Sequence, residues 1–543
     1  MAGGILQLLI YGAQDLYLTA NPQITYFKVV FRKHTNFSME TFERTFNDNP
    51  NFGKIGRVKI YRLGDLMTKM YLKIILNKVV PNEGSKFAWI RRLGHALLRS
   101  VSIEIGGVDI DEQCGTWLDI WYELARQGDH EKGYNKLIGD VEELTSYNNN
   151  EKPEYTLFIP LKFWFNRFCG LALPNIAIHY HEIYIKVKFE EINKLIVINS
   201  SFNNFDALTM LDVSVLVDYI YLDIVERRKF ATLGHEYLIE QVQFTGEETV
   251  EKAKKRFLLH YNFPTKELFW AWRNGNYTKG KKFLCYTNKD DWSNELISCS
   301  KNILLDSSIL LDVNENAPDN GGLWEVIGPN TNKKTENKKI NVFNNSDKNF
   351  WINTNSLIID SYSLTNKIQA DIIVTNKSTI IRNIITTLSE RDISIPVDKL
   401  NDTRIVSDDV CVNQFSNYGI LITGKYNPVK RAKLEINDQE RFDQNGTFFN
   451  YLQPEMHHSN TPKDGINCYS FSLQPEKHQP MGTINLSRIE RIILFIDFED
   501  ISKLEKSDPD INFINDDNRL YIFGFSYNVL KILSGLVALS YHN

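Results

Sequence analysis

The stretch HEIYIKVKFE, residues 181–190, decides the fold class. Ile183, Ile185, Val187 and Phe189 alternate with Glu182, Tyr184, Lys186, Lys188 and Glu190. A period of two places the apolar set on one face of a strand and the polar set on the other. The same period recurs on both sides of this stretch. MYLKIIL (70–76) alternates in the same way, and SIEIGGVDID (102–111) holds two alternating runs around Gly106-Gly107, a predicted tight hairpin. Further strand-like runs are LIEQVQFT, RFLLHYNF, ELFWAW, ADIIVT, YGILITG, RIILFIDF and RLYIFGFSY. Helical periodicity is scarce. Its best case is TWLDIWYELARQ (116–127), where Trp117, Trp121 and Leu124 form one stripe, Thr116 with Asp119 could cap the start, and charged residues take the opposite face. Many strands with few helices predict an all-β chain of sandwiches or barrels.

An internal echo suggests duplication. GLALPNIAIHYHEIYIKVKF (170–189) has the same shape as GTINLSRIERIILFIDF (482–498), and each is followed by a Tyr-bearing strand, DYIYLDIV and FGFSYNVL. Two domains of one type follow, joined where ERRKFATLGHE (226–236) breaks the pattern. The second half is longer and carries an insertion over roughly 285–425. Within it, residues 329–355 hold nine Asn in 27 positions, a composition that predicts an exposed or mobile loop.

Composition bounds the function. The 543 residues suit two domains or more, and 32 Phe, 25 Tyr and 9 Trp can build large cores. A formal charge of −5 gives no electrostatic case for direct nucleic-acid binding. The six cysteines, Cys114, Cys169, Cys285, Cys299, Cys411 and Cys468, form no CxxC pair, and so few in so long a chain suit a reducing compartment.

Candidate chemistry is weak throughout. GNYTKGKK (275–282) approaches the phosphate-binding loop GxxxxGK[ST], but Lys282 stands where the Mg²⁺-binding hydroxyl belongs and no helix start follows. His179 and His181 would share a strand face, as metal ligands do in a jelly-roll enzyme of cupin type; Ile185 and Lys186 occupy the positions where a carboxylate ligand is needed, and Glu190 is too far. His457 and His458, adjacent on a strand, would face opposite ways. Glu499-Asp500 and Asp516-Asp517 read as solvated loop acids. No catalytic, cofactor-binding or metal-binding residue is therefore expected. Eight N-x-[ST] sequons occur, at Asn36, Asn199, Asn276, Asn344, Asn376, Asn401, Asn445 and Asn485. Without a signal peptide they are not expected to meet the secretory glycosylation machinery.

The first segment, MAGGILQLLIYGAQDLYLTANPQITYFKVVF (1–31), has no charge before Asp15 and no Lys or Arg before Lys28. It lacks the basic start of a secretory signal and the length of clean apolar sequence needed to span a membrane. Myristoylation needs a glycine directly after Met1, and Ala2 stands there. VLKILSGLVAL (529–539) is likewise too short to span and holds a Lys. The first segment is expected to dock on its own or a neighbouring subunit.

Residues 3–37, which include most of this segment, closely resemble the N-terminus of the major capsid proteins of nucleocytoplasmic large DNA viruses, the double jelly-roll capsid family of phycodnaviruses, iridoviruses and mimivirus relatives. The resemblance continues in LGHALLRSVSIEIGGVDIDEQCGTWLDIWYELA (93–125), IPLKFWFNRFCGLALPNIAIHYHEIYIKVKF (159–189), YLIEQVQFTGEETV (237–250) and NFPTKELFWAW (262–272). It extends over 432–490 and the final SYNVLKILSGLVALSYHN (526–543). The insertion around 285–425, longer than in compact members, is the main departure. The resemblance implies two consecutive eight-stranded jelly rolls with few short helices and long loops: a first over 26–225, a linker over 226–236 and a second over 237–543, preceded by an arm, residues 1–25. It implies a structural, non-enzymatic subunit of the virion, assembled in the host cytoplasm. Homotrimers that mimic a hexagon would tile an icosahedral shell beside neighbouring capsomers, minor capsid and penton proteins. The N-terminal arm would lie inside, near a viral membrane, and helix 116–127 between barrels or subunits. The alternatives are a minor capsid paralogue of the same fold and, from another class, a glycan-binding or cupin-like jelly-roll protein.

Overall fold

The computed structural model describes residues 31–273 apart from a few loop positions, 415–418, 427–499 and 518–541, residues 19–29 with three earlier positions, and the backbone of strands between 310 and 387. Among the described residues the first unit has ten strands. Eight of them form two four-stranded antiparallel sheets. One has the order β1 (Phe37–Thr45), β10 (Met210–Leu222), β3 (Leu66–Leu76), β7 (Tyr155–Pro160); the other has β2 (Ile55–Ile60), β8 (Ile183–Phe189), β5 (Leu98–Ile105), β6 (Val108–Gln113). Two short strands, β4 (Phe87–Trp89) and β9 (Ile196–Ile198), pair beside them. Lettered in chain order without β4 and β9, the eight read B–I–D–G and C–H–E–F, the jelly-roll arrangement.

β8 is a central strand of the second sheet, between β2 and β5. Its apolar set, Ile183, Ile185, Val187 and Phe189, is buried against Val58, Ile60, Val101, Ile103 and Ile105. Burying a side chain of this size stabilises by roughly 1.5–3 kcal/mol. Gly106 and Gly107 both have positive φ, as the two-residue turn joining β5 and β6 requires.

The second unit repeats the plan. Its sheets are β11 (His235–Gln243), β26 (Arg519–Leu533), β14 (Pro264–Arg273), β23 (Ile466–Ser470), and β13 (Lys254–Leu258), β25 (Ile492–Phe498), β21 (Val429–Ile436), β22 (Gln439–Asn445). Short strands β12 (Glu247–Thr249), β24 (Ile484–Asn485) and β27 (Leu536–Leu539) extend the first of these sheets. The order is again B–I–D–G and C–H–E–F. The echoing sequence segments thus contain β8 and β25, the H strands, and lead into β10 and β26, the I strands. The E–F hairpin recurs as well: Asn437 and Asp438, both at positive φ, join β21 to β22. Each unit is a pair of facing sheets rather than a closed barrel.

The insertion occupies the D–E connection of the second unit, between Arg273 and Val429. Six strands there, β15 (Leu310–Val313), β16 (Ile340–Phe343), β17 (Asn349–Asn353), β18 (Ile358–Asp360), β19 (Lys367–Thr375) and β20 (Ser378–Thr387), close into a small antiparallel barrel. This corrects the reading of 329–355 as loop throughout. Strands that close on one another satisfy their own backbone groups, even where the sequence between them is rich in Asn. Residues 226–236 lie largely in an exposed helix, α2 (Ile224–Thr232), started by the Asp223 carboxylate accepting from the Ile224 N–H at 2.8 Å. VLKILSGLVAL proves to be the end of β26, a turn at Ser534-Gly535 and β27.

The two units share apolar packing. One face of β14, with Leu268, Trp270 and Trp272, lines the core of its own sandwich. The other, with Phe269 and Ala271, joins the core of the first unit. A strand buried on both faces reads as a continuous apolar run, which explains why ELFWAW lacks the alternation seen in β8.

Candidate assembly surfaces and the junction between the sandwiches

Helix α1 (Gly115–Ala125), in the F–G connection of the first unit, is where the sandwiches meet. Trp117 stacks on Trp121 at 5.6 Å between ring centroids and meets Phe269, Phe523 and Phe525 of the second unit at 5.2–5.7 Å. The Arg167 guanidinium lies over Trp121 and Phe525 and pairs with Glu240 at 2.8 Å. Tyr418 donates to Asp119 at 3.0 Å, and Lys463 stands 3.4 Å from Glu123. Across the same junction the Val242 N–H donates to the Asp111 carboxylate at 3.0 Å, and Gln241 donates to the Ile110 carbonyl.

The expected amphipathic helix is corrected here. α1 is buried on all sides: Asp119 is 0% and Glu123 1% exposed. Thr116 and Asp119 do not cap it. Cys114 holds the N-cap position without a side-chain bond, and the Thr116 hydroxyl instead accepts from Arg273. The carboxylates are tolerated because Arg92, itself 1% exposed, donates to Asp119 at 2.7 Å and to Glu123. Burial alone would raise both carboxyls; Arg92 overrides it, holding Asp119 well below the usual range and Glu123 at about 2. His95 lies against Asp119 at 3.2 Å and Tyr134 at 2.8 Å, and burial lowers its pKa. At Asp111 burial outweighs the hydrogen bonds from the Val242 N–H and Gln113 and the charge of Arg167, and pushes the carboxyl up to about 6. A cleft of about 740 Å³ opens beside the junction, lined by Arg99, Glu112, Lys188, Tyr261, Arg273 and Phe523 among others.

A second feature lies at the outside. Tyr26, Phe27 and Phe31 are 87–97% exposed, and Ile24 and Val29 are 72% exposed. They run into β1, an edge strand on which Phe37 and Met39 are also exposed. A contiguous exposed apolar segment of this kind marks an interaction surface.

The sequence candidates fall in several places. His179 and His181 sit in the loop before β8, not on a strand. The His181 Nδ1 accepts from the Val537 N–H at 3.1 Å, and the His179 and Tyr180 N–H groups bind the Gly535 carbonyl, so this loop seats the C-terminal hairpin. Residues 275–282 lie outside the described residues, as do Asp500, Asp516, Asp517, Cys285, Cys299 and Cys411. So do the sequons at Asn199, Asn276, Asn344, Asn376 and Asn401, whereas Asn36, Asn445 and Asn485 are exposed. Cys114, Cys169 and Cys468 are free. The His457-His458 reading is corrected. These residues end a short helix, α3 (Gln453–His457), and His458 turns inward. Its Nε2 lies 2.6 Å from Glu267 Oε1 and its Nδ1 3.0 Å from Glu476 Oε1. Burial opposes charge on this ring, but Glu267 and Glu476 raise its pKa well above the ordinary value. Burial pushes the neighbouring Cys468 thiol up to about 11. No sequence signal joins His458 to Glu267, 191 positions away.

Two jelly rolls in tandem, packed through one sheet of the second unit and carrying exposed apolar edges, define a shell-forming class of protein. The comparisons agree. Residues 25–223 match the family described as major capsid protein N-terminus, and residues 226–538 match large eukaryotic DNA virus major capsid protein. The chain is 37% identical to capsid protein 1 of Acanthamoeba polyphaga mimivirus and 35% identical to the major capsid protein of Phaeocystis pouchetii virus, each alignment covering 100% of both chains. The crystal structure of PBCV-1 VP54 fitted into a reconstruction of the virophage Sputnik aligns with a TM-score of 0.63 at 26% identity, covering 96% of this chain and 100% of that one. This chain belongs to the family of major capsid proteins of large eukaryotic DNA viruses. It is a structural protein of the virion shell and assembles with other capsid subunits.

Proposed function

We propose that this chain is the principal shell subunit and works as a homotrimer with a hexagonal outline. The observation that carries this is the repetition of one sandwich plan twice in a chain. Three chains supply six similar sandwiches, so a threefold particle can occupy a sixfold position in a closed shell. The units are assigned as 26–225 and 237–543, joined by 226–236. Assembly is driven by burial of apolar surface, to which the exposed Tyr26, Phe27 and Phe31 contribute. Residues 2–25 of the arm order only on trimer or shell assembly, docked on their own or a neighbouring subunit, on the inner side near a membrane. Neighbouring capsomers, minor capsid proteins and penton proteins are its partners, and assembly takes place in host cytoplasm. The protein acts by self-assembly, and no residue is assigned a catalytic role.

The mass of the full chain in solution tests the reading. A chain of 63.1 kDa gives a trimer of about 190 kDa. Light scattering on a size-exclusion column should find that mass, unchanged on dilution. A folded monomer that stays monomeric when co-expressed with viral assembly factors would overturn it.

A further inference from the structure

Glu267, His458 and Cys468 bring three kinds of donor together on the face of the second unit's sheet that packs against the first unit. Glu267 and Cys468 come from adjacent antiparallel strands, β14 and β23, in which Glu267 pairs with Ser470 and Phe269 with Cys468. The two side chains therefore lie diagonally on one face of the sheet. His458 is delivered by the turn after α3. One carboxylate oxygen, one ring nitrogen and the sulfur all lie within 4.8 Å of one another. Glu267 and Cys468 are 0% exposed, as is the His458 side chain. The second carboxylate oxygen of Glu267 is buried and has no hydrogen-bond partner.

The ring is oriented as a metal-binding imidazole is oriented. Its Nδ1 faces Glu476, 3.0 Å away, which would fix the proton on that nitrogen and leave the Nε2 lone pair for a metal. Nε2 is the nitrogen turned toward Glu267. Trp121 and Phe269 stand 6.4 and 6.2 Å from the ring and form an apolar shell.

We propose that Glu267, His458 and Cys468 form a zinc-binding site, with Glu476 as the carboxylate that orients the histidine. A thiolate, an imidazole and a carboxylate together suit zinc; magnesium and calcium prefer all-oxygen sites. Metal entry displaces two protons, one from Nε2 and one from the Cys468 thiol. The dication, thiolate and Glu267 carboxylate then sum to zero charge, while the His458 Nδ1–H goes on donating to Glu476. Three protein donors leave the fourth tetrahedral position to water. Two bonds of about 2.1 Å at a tetrahedral angle require Nε2 and Oε1 to part to roughly 3.4 Å, a small rotation of Glu267 from the metal-free 2.6 Å contact. The ion would tie β14, β23 and the α3 turn together directly behind the seat of Trp121.

Titration of the purified full-length protein with Co²⁺ tests this, followed by direct measurement of zinc content. The expected result is about one equivalent of metal per chain, with a thiolate-to-cobalt charge-transfer band alongside visible d–d bands. Cys468→Ser should abolish the charge-transfer band, and His458→Gln should weaken binding at least tenfold. If these variants fail to fold, the spectrum of a chain in which Cys114, Cys169, Cys285, Cys299 and Cys411 are replaced by serine decides: a thiolate band requires sulfur in the coordination sphere, Cys468 is then the one sulfur donor among the cysteines, and loss of the band in that folded chain overturns the proposal. A folded wild-type protein that takes up no Co²⁺ or Zn²⁺ above background overturns the proposal. So does a metal whose spectrum and affinity are unchanged in folded Cys468→Ser.

Discussion

Arg92→Met removes the guanidinium that neutralises the junction and keeps the length of the side chain. Arg92 sits at φ 52, and methionine meets the same backbone strain, so the substitution isolates charge. Two buried carboxylates, Asp119 and Glu123, lose their principal cation. Breaking a buried ion pair from one side costs about 3–5 kcal/mol. The pKa of Glu123 gives a second route to the figure. A fall from 4.5 to about 2 corresponds to about 3 kcal/mol at neutral pH. Lys463 near Glu123 and His95 beside Asp119 soften the loss, so about 3 kcal/mol at pH 7 is expected. The pH dependence follows from the signs. In the wild type the depressed carboxyls contribute stability that is complete above their unfolded values and lost as pH falls toward about 2. In the variant, burial without Arg92 raises both pKa values, so the carboxyls take up protons near pH 4 and the penalty shrinks. Urea unfolding followed by tryptophan fluorescence at pH 7 and pH 4 measures both numbers. A loss below about 1 kcal/mol at pH 7, or an equal loss at the two pH values, would refute the reasoning.

Trp117→Ala removes the ring that joins α1 to Phe269, Phe523 and Phe525 and should cost about 3–5 kcal/mol in the same unfolding assay. Asp111→Asn should do the reverse above pH 7. Burial raises this carboxyl to about 6, so its ionisation lowers stability as pH rises from about 4 to 6, and the amide should gain about 1–3 kcal/mol at pH 8 and nothing below pH 4. Gly465→Ala places a Cβ 1.9 Å from the Tyr418 carbonyl at φ +92 and should cost about 2–4 kcal/mol, read as a drop in thermal midpoint.

The period-two pattern reports one-sided burial, so β8 and the Gly106-Gly107 hairpin were legible in the sequence. The duplication was legible too, because H and I strands keep the same alternation in both units. What escaped were features set by distant partners. Asp119 and Glu123 read as solvated because Arg92, 27 and 31 positions away, is not part of the helix. His458 read as half of a divergent pair because the strand assumption failed at a helix end. The Asn-rich segment 329–355 read as loop because composition reports core-forming capacity, while its strands satisfy one another's backbone.

The seat of Trp117 also sets an order in time. Its partners Phe523 and Phe525 leave the ribosome roughly 400 residues later, about 20–80 s at ordinary elongation rates. Once β10 is made, and until β26 follows, the first sandwich presents two adjacent indole rings that lack their Phe523 and Phe525 cover. The junction that makes the mature subunit rigid is therefore a sticky surface during synthesis. A cell crowded with polysomes of this message would favour contacts between nascent chains, unless something shields α1 until the last long strand is made.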